Sequence, residues 1–349
     1  MPANPTGVAL RRDAMAKWEQ AGVDTLGAPP KTLSETWVDI TLPGGWVSRT
    51  LLVWPNLGPK DDEHCPLIVY YHGGGFAYGD PNQVVLPARG YANQLKAVVA
   101  CPSYMLSPEL PFPHGVQSGW EVAAWLSKAD NLNNGPLKNA SAKVDPRRGF
   151  VVGGLSAGGN IAAVMGGIQS LPQDSQTFVL RGLTPLSAEI TGIFAGIPAI
   201  LQESMVPEQY ADIFKSRMEN SSGGAGGLLL DTRTVRDLER MLGVDYHSVW
   251  WSPLNIDYSN PELARRHPQR VFIHGSSLCP LRDDAVIYHK WLQEVIGADA
   301  KLVMVEKFGH AGWASPDFEG SKRSYLREIS VEHMAWLLGK EWKKTKGLY

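Results

Sequence analysis

The chain has 349 residues, 44% of them apolar and 19% charged, with a formal net charge of -2. That composition can bury a large core and excludes a disordered chain, and the near-neutral balance excludes an electrostatic hold on nucleic acid or acidic lipid. Mixed helix–strand folds of this size often stay single, so one domain carrying insertions is expected across residues 1–349.

The first residues lack the basic stretch and apolar run of a secretory signal. No stretch approaches the ~18 uninterrupted apolar residues that a membrane span requires. Cys65, Cys101 and Cys279 are an odd set without framework spacing, which points to a reducing, cytoplasmic setting. Neither a CxxC pair nor a His/Cys cluster is present, so no metal or cofactor is expected. Lys340, Lys343, Lys344 and Lys346 read as a solvated helix end.

In chain order, residues 1–30 hold one helical stretch, Leu10–Ala21, ahead of any strand. Trp37–Leu42, the turn Pro43-Gly44-Gly45 and Trp46–Trp54 read as an antiparallel hairpin at a sheet edge. Strands are then predicted at Thr50–Trp54, Leu67–Tyr71, Ala97–Cys101, Gly149–Gly153, Ile190–Phe194, Arg270–Ile273 and Leu302–Val305. Most are continuous β-branched runs, as strands buried on both faces should be. Helices are predicted at Gly119–Ser127, Gly158–Gln169, Asp283–Val295 and Tyr325–Leu338. The alternation gives an α/β fold, a mostly parallel sheet with helices on both faces.

Residues 203–247 interrupt that rhythm with two amphipathic helices, Glu208–Glu219 and Thr234–Leu242. Thr234 followed by Asp237 resembles a capping arrangement. Between the helices, Ser221–Gly227 has the composition of a flexible hinge. Residues 1–30 and 203–247 are therefore expected to form a helical cap over the site.

The chemistry concentrates in three places. Gly154-Leu155-Ser156-Ala157-Gly158 lies between a predicted strand and a predicted helix, the setting in which G-x-S-x-G makes a sharp turn and projects a nucleophilic serine. The glycines are needed because side chains there would meet the neighbouring strand and helix. His72-Gly73-Gly74-Gly75 follows another strand and lets backbone amides approach a substrate oxygen, with Gly74, Gly75 and the N–H of Ala157 as the expected oxyanion donors. His72 itself is expected to hold the loop. Of the nine histidines, His310 alone lies on the loop after the last strand, where this fold places its general base. His64, His247, His267 and His289 fall in loop or surface contexts, and His274 ends a strand.

With their neighbours these residues resemble the hormone-sensitive-lipase-like family of α/β-hydrolases, over about residues 36–338. The stretches that carry the resemblance are His72–Phe76, Tyr104–Pro113, Gly154–Asn160, Ser252–Asn255 and Pro280–Asp284. The resemblance implies carboxylester hydrolysis without a cofactor, a two-part helical cap and an oxyanion hole in the glycine loop. The chain departs from the family twice. Leu155 stands where the family usually has Asp, and Cys279 stands where its catalytic Asp precedes the Pro-Leu-Arg-Asp stretch. A thiol is a weak acceptor and cannot act as a normal orienting carboxylate. Asp283, one helical turn on, is the candidate replacement acid, against a structural role that the resemblance implies for it; Asp284 is a weaker candidate.

Three readings follow. The first is a carboxylesterase with Ser156 as nucleophile and His310 as base, taking small-molecule esters with short or bulky apolar groups, with Trp18, Trp250 and Trp251 near the cap. The second is a biosynthetic enzyme of secondary metabolism using the same pocket for acyl transfer, cyclisation or condensation. The third is a non-catalytic binding protein on a hydrolase scaffold, against which the intact nucleophile turn counts.

Overall fold

A computed structural model describes residues 5–222, 230–310 and 320–344. An eight-stranded sheet forms its centre. The strands are β1 (Leu33–Thr41), β2 (Val47–Pro55), β3 (Leu67–Tyr71), β4 (Val98–Pro102), β5 (Phe150–Leu155), β6 (Gly192–Gly196), β7 (Arg270–Ser276) and β8 (Asp299–Val305). They lie in the order β1-β2-β4-β3-β5-β6-β7-β8. β1 and β2 form the expected edge hairpin, Thr41 opposite Val47, and β2 joins β4 antiparallel. All remaining pairings are parallel.

The parallel strands read as unbroken apolar runs because helices cover both faces. Every residue of β3, β4, β5 and β6 is buried. On one face pack α3 (His114–Ser127), α4 (Ala157–Ser170) and α6 (Arg282–Trp291); on the other, α2 (Val85–Leu95) and α7 (Gly320–Leu337). Two helices complete the set that matters here, α1 (Pro5–Leu26) at the start and α5 (Thr232–Leu242) between β6 and β7. Among the described residues no helix is long and apolar enough to cross a membrane.

α2 escapes the sequence patterning. It contains Pro87 and Gly90, and nine of its eleven residues are buried, so it shows no polar face to set a helical period. The expected helix over 208–219 is instead a tight turn at Glu208–Tyr210 and a short helix at Ser216–Glu219. The break has a cause. Asp283 Oδ2 accepts the N–H groups of Lys215 and Ser216, each at 2.6 Å, and so starts a fresh helix there. α5 begins two residues before Thr234, because Asp231 is its cap and takes the Thr234 N–H at 2.6 Å. Most of the hinge predicted at Ser221–Gly227 lies outside the described residues, as do Gly312 and Trp313 beside the candidate histidine.

Candidate active site

β5 ends in a turn that only small neighbours permit. Ser156 sits there at φ 56°, ψ -113°, a strained conformation for a residue with a side chain. Its N–H is held by the Gly196 carbonyl of β6 at 2.8 Å, and α4 starts at the next residue. A Cβ on Gly154 would stand 2.6 Å from Tyr71 O, and one on Gly158 would stand 2.3 Å from the same atom. Both glycines are thus required by close approach between β5, β3 and α4. The positive end of the α4 dipole lies at Ser156.

The loop after β3 is built from its own polar groups. His72 is buried, its Nδ1 lies 2.7 Å from the Gly73 carbonyl, and its ring stacks on Tyr104 at 4.3 Å. It holds the loop, as its position suggested. Gly74 has φ +120°, and a Cβ there would stand 2.1 Å from Tyr78 O. No side chain fits. Its carbonyl takes the N–H groups of Ala77 and Tyr78, at 3.1 and 3.0 Å.

Sequence reasoning missed what ties this loop to α1. Gln83 Oε1 accepts the Gly73 N–H at 2.6 Å, while Gln83 Nε2 donates to Glu19 Oε1 at 3.1 Å. Glu19 is only 3% exposed and its Oε2 has no hydrogen-bond partner among the described residues. Burial, reinforced by the charge of Asp80, pushes its carboxyl up to about 8. Neither residue belongs to a motif; the one sequence signal is a Glu beside Trp18 on an otherwise polar stretch of helix.

His310 follows β8 and brings the far side of the site together. Its Nε2 lies 2.9 Å from Ser156 Oγ. Its Nδ1 lies 3.1 Å from Cys279 Sγ. Cys279, in the loop after β7, also takes the Leu281 N–H on its sulfur at 3.3 Å. Burial pushes the Cys279 thiol up to about 12, against the smaller opposing pull of the Leu281 N–H and the Arg217 charge. Burial likewise holds His310 down to about 3, with Arg217 and His274 adding to it. At neutral pH the pair is therefore an uncharged thiol beside an uncharged imidazole.

Asp283 does not reach His310. Its carboxylate faces the opposite way, accepting Lys215 and Ser216 N–H and pairing with Arg282 Nε at 2.7 Å. One turn of helix from Cys279 rotated it toward the 203–247 segment rather than the histidine. Asp284 is equally committed, to the N–H groups of Ile200 and Leu201 at 3.0 Å and to Arg217 at 2.9 Å. His267 lies in a loop, as expected, and is buried there at 1% exposure.

Ser156, Ala157, His310 and the glycine loop line one cavity of about 410 Å³. From α1 come Arg11, Met15 and Trp18; from α5 come Val235, Leu238 and Leu242. Trp251 joins the wall, whereas Trp250 is buried without lining it.

Residues 68–314 match the model of a family described as having the α/β-hydrolase fold. The chain belongs to the hormone-sensitive-lipase-like family of α/β-hydrolases. Carboxylesterase NlhH of Mycobacterium tuberculosis is 27% identical to it over 278 residues, 78% of this chain and 75% of that protein. Esterase LipI of the same organism is 25% identical over 298 residues, 81% of this chain and 78% of its own. Among solved structures, vibralactone cyclase superposes with a TM-score of 0.76 at 23% identity, covering 97% of this chain and 91% of that one, a likeness of fold. The chain carries the glycine loop and the serine turn, and Cys279 Sγ is the group beside His310 Nδ1.

Proposed function

We propose that this protein is a serine carboxylesterase that forms an acyl-enzyme on Ser156 and uses a thiol where a carboxylate is usual. The observation that carries the reading is the 2.9 Å contact between Ser156 Oγ and His310 Nε2, inside a cavity walled by the glycine loop. Its relatives include a carboxylesterase and an esterase, each matched over three quarters or more of its own length.

Ser156 Oγ attacks the ester carbonyl carbon while its proton passes to His310 Nε2. The N–H groups of Gly74, Gly75 and Ala157 receive the oxyanion, the first two presented by the strained glycine loop and the third by the start of α4. The C–O bond then breaks and the imidazolium returns its proton to the departing alkoxide. Water repeats both steps in reverse to free the acid. The substrate is a small-molecule ester with a bulky apolar group, matched to the apolar walls from α1 and α5. The described residues within 1–30 and 203–247 act as the cap that covers it. The three cysteines, free and buried, suit a reducing, cytoplasmic setting.

One observation favours a second reading, biosynthetic acyl transfer or cyclisation. A neutral thiol at Nδ1 stabilises imidazolium poorly and so slows every step that loads a proton on Nε2, a loss that a hydroxyl already held in the pocket at high effective concentration tolerates better than water does.

The reading is tested by exposing the protein to a serine-reactive phosphonate and measuring its intact mass. One adduct is expected, absent in Ser156→Ala, together with loss of p-nitrophenyl ester hydrolysis in that variant. An adduct that persists in Ser156→Ala removes the assignment of the nucleophile.

A further inference from the structure

Helix α5 lies directly over the glycine loop: a Cβ on Gly75 would stand 2.5 Å from Leu238 Cδ1. Its stripe Val235, Leu238 and Leu242 faces the cavity at helical spacing, as an apolar cap face should. Glu239 interrupts that stripe. Among the described residues that line the cavity it is the sole acid.

The carboxyl is fixed in place. Tyr246 donates its hydroxyl to Glu239 Oε2 at 3.3 Å, and the Tyr246 ring stands edge-on to Trp251, itself a wall residue, with centroids 5.9 Å apart. Oε1 has no hydrogen-bond partner among the described residues. The nearby cation offsets it only in part, because Arg217 is held by Asp284 and by the Leu201 and Pro280 carbonyls. Burial and the Asp284 charge outweigh Arg217 and Arg236 and push the Glu239 carboxyl up to about 7. It is thus poised between donor and acceptor at neutral pH, facing an apolar space.

Resting on the esterase reading, we infer that the apolar group seated beneath α5 carries a hydroxyl, which Glu239 receives. A hydroxyl both donates and accepts, so it meets this carboxyl in either protonation state. A plain alkyl chain would bury Oε1 with nothing to replace its water, and sites built around a buried polar group discriminate strongly against ligands that leave it unpaired. Glu239 is then a specificity residue that touches substrate, remote from the bond that breaks.

The test uses unreactive N-methyl hexanamides, unsubstituted and hydroxylated at carbon 4, 5 or 6, with Kd measured by calorimetry. In the wild type at least one hydroxylated member should bind about tenfold tighter than the unsubstituted amide. Glu239→Leu should erase that advantage and improve binding of the unsubstituted amide, while Glu239→Gln, which can still donate and accept, should retain most of it. Equal advantage in wild type and Glu239→Leu, or weaker binding of every hydroxylated member to wild type, overturns the inference. The readout needs no turnover, so its failure is separable from that of the esterase reading, which falls on the phosphonate adduct alone.

Discussion

In the proposed triad Cys279 decides what His310 can do, since its Sγ is the group that faces Nδ1. For Nε2 to take the serine proton, Nδ1 must carry its hydrogen and point it at Sγ; a thiol that instead donates to Nδ1 leaves Nε2 protonated and useless as a base. An aspartate permits only the first arrangement, whereas a thiol permits both. Exchange of the orienting acid in such triads costs up to ~10⁴ in turnover. Cys279→Asp should therefore raise kcat for p-nitrophenyl esters by ~10² or more. The Leu281 N–H already directed at Sγ, and the Arg217 charge nearby, would both favour the new carboxylate. The pH profile should change as well. With His310 held down to about 3 the wild type stays unprotonated, and so active as a base, throughout pH 5–8. A carboxylate at 279 raises the histidine pKa, so a falling limb should enter on the acid side of neutrality. Unchanged kcat and an unchanged profile in Cys279→Asp would mean that the histidine is oriented by another group. Under the biosynthetic reading ester hydrolysis rises in the variant while acyl transfer to a hydroxyl does not.

Among the elements, α1 does the least expected work. It supplies three cavity residues and, through Glu19 and Gln83, a hydrogen-bonded link to the first amide of the glycine loop. That link contains a carboxyl held up to about 8 against an ordinary 4.5. Between those values the folded protein keeps a proton that the unfolded chain has released. Its contribution to stability is therefore complete below pH 4.5 and declines by about 1.4 kcal/mol per pH unit as pH rises toward 8. Glu19→Gln keeps an amide of the same shape and removes the slope. Urea midpoints measured at pH 5, 6.5 and 8 should show the variant gaining on the wild type at each step. A constant difference across the three would mean that Glu19 is ionised in the folded protein. The 203–247 segment is likewise tied to α6, since Asp283 takes the Lys215 and Ser216 N–H groups and Asp284 pairs with the Arg217 side chain.

At the scale of the molecule, the parts that were legible from sequence are those where local constraint and global fold coincide. β3 was placed to the residue, because Leu67–Tyr71 is an unbroken apolar run bounded by Pro66 and His72. Ser156 and the glycines around it were legible because one steric problem has few solutions. The hidden parts depend on long-range partners. α2 is a helix because its neighbours bury it. The Glu19–Gln83 link joins residues 64 apart, and Asp283 faces away from His310 because of a segment 67 residues upstream. Arg89 is the largest such case. It sits in α2 at 4% side-chain exposure, makes two 2.8 Å bonds to Glu35 of β1, and gives a third to the carbonyl of Gly27, just past the end of α1. Three elements distant in sequence meet on one guanidinium. Arg89→Met strands Glu35 as a largely covered charge and releases the end of α1, which should cost about 3–5 kcal/mol, read as a lower urea midpoint at unchanged slope. Because α1 walls the cavity, KM for bulky esters should rise at temperatures where the variant is still folded, with kcat less affected. The double change Arg89→Met with Glu35→Leu should recover most of the stability, since apolar replacement of both partners is often neutral or better. It should not recover KM, because the Gly27 carbonyl still lacks its donor. If the double variant is no more stable than Arg89→Met alone, the pair is not what the single change breaks, and the loss lies in packing around α2.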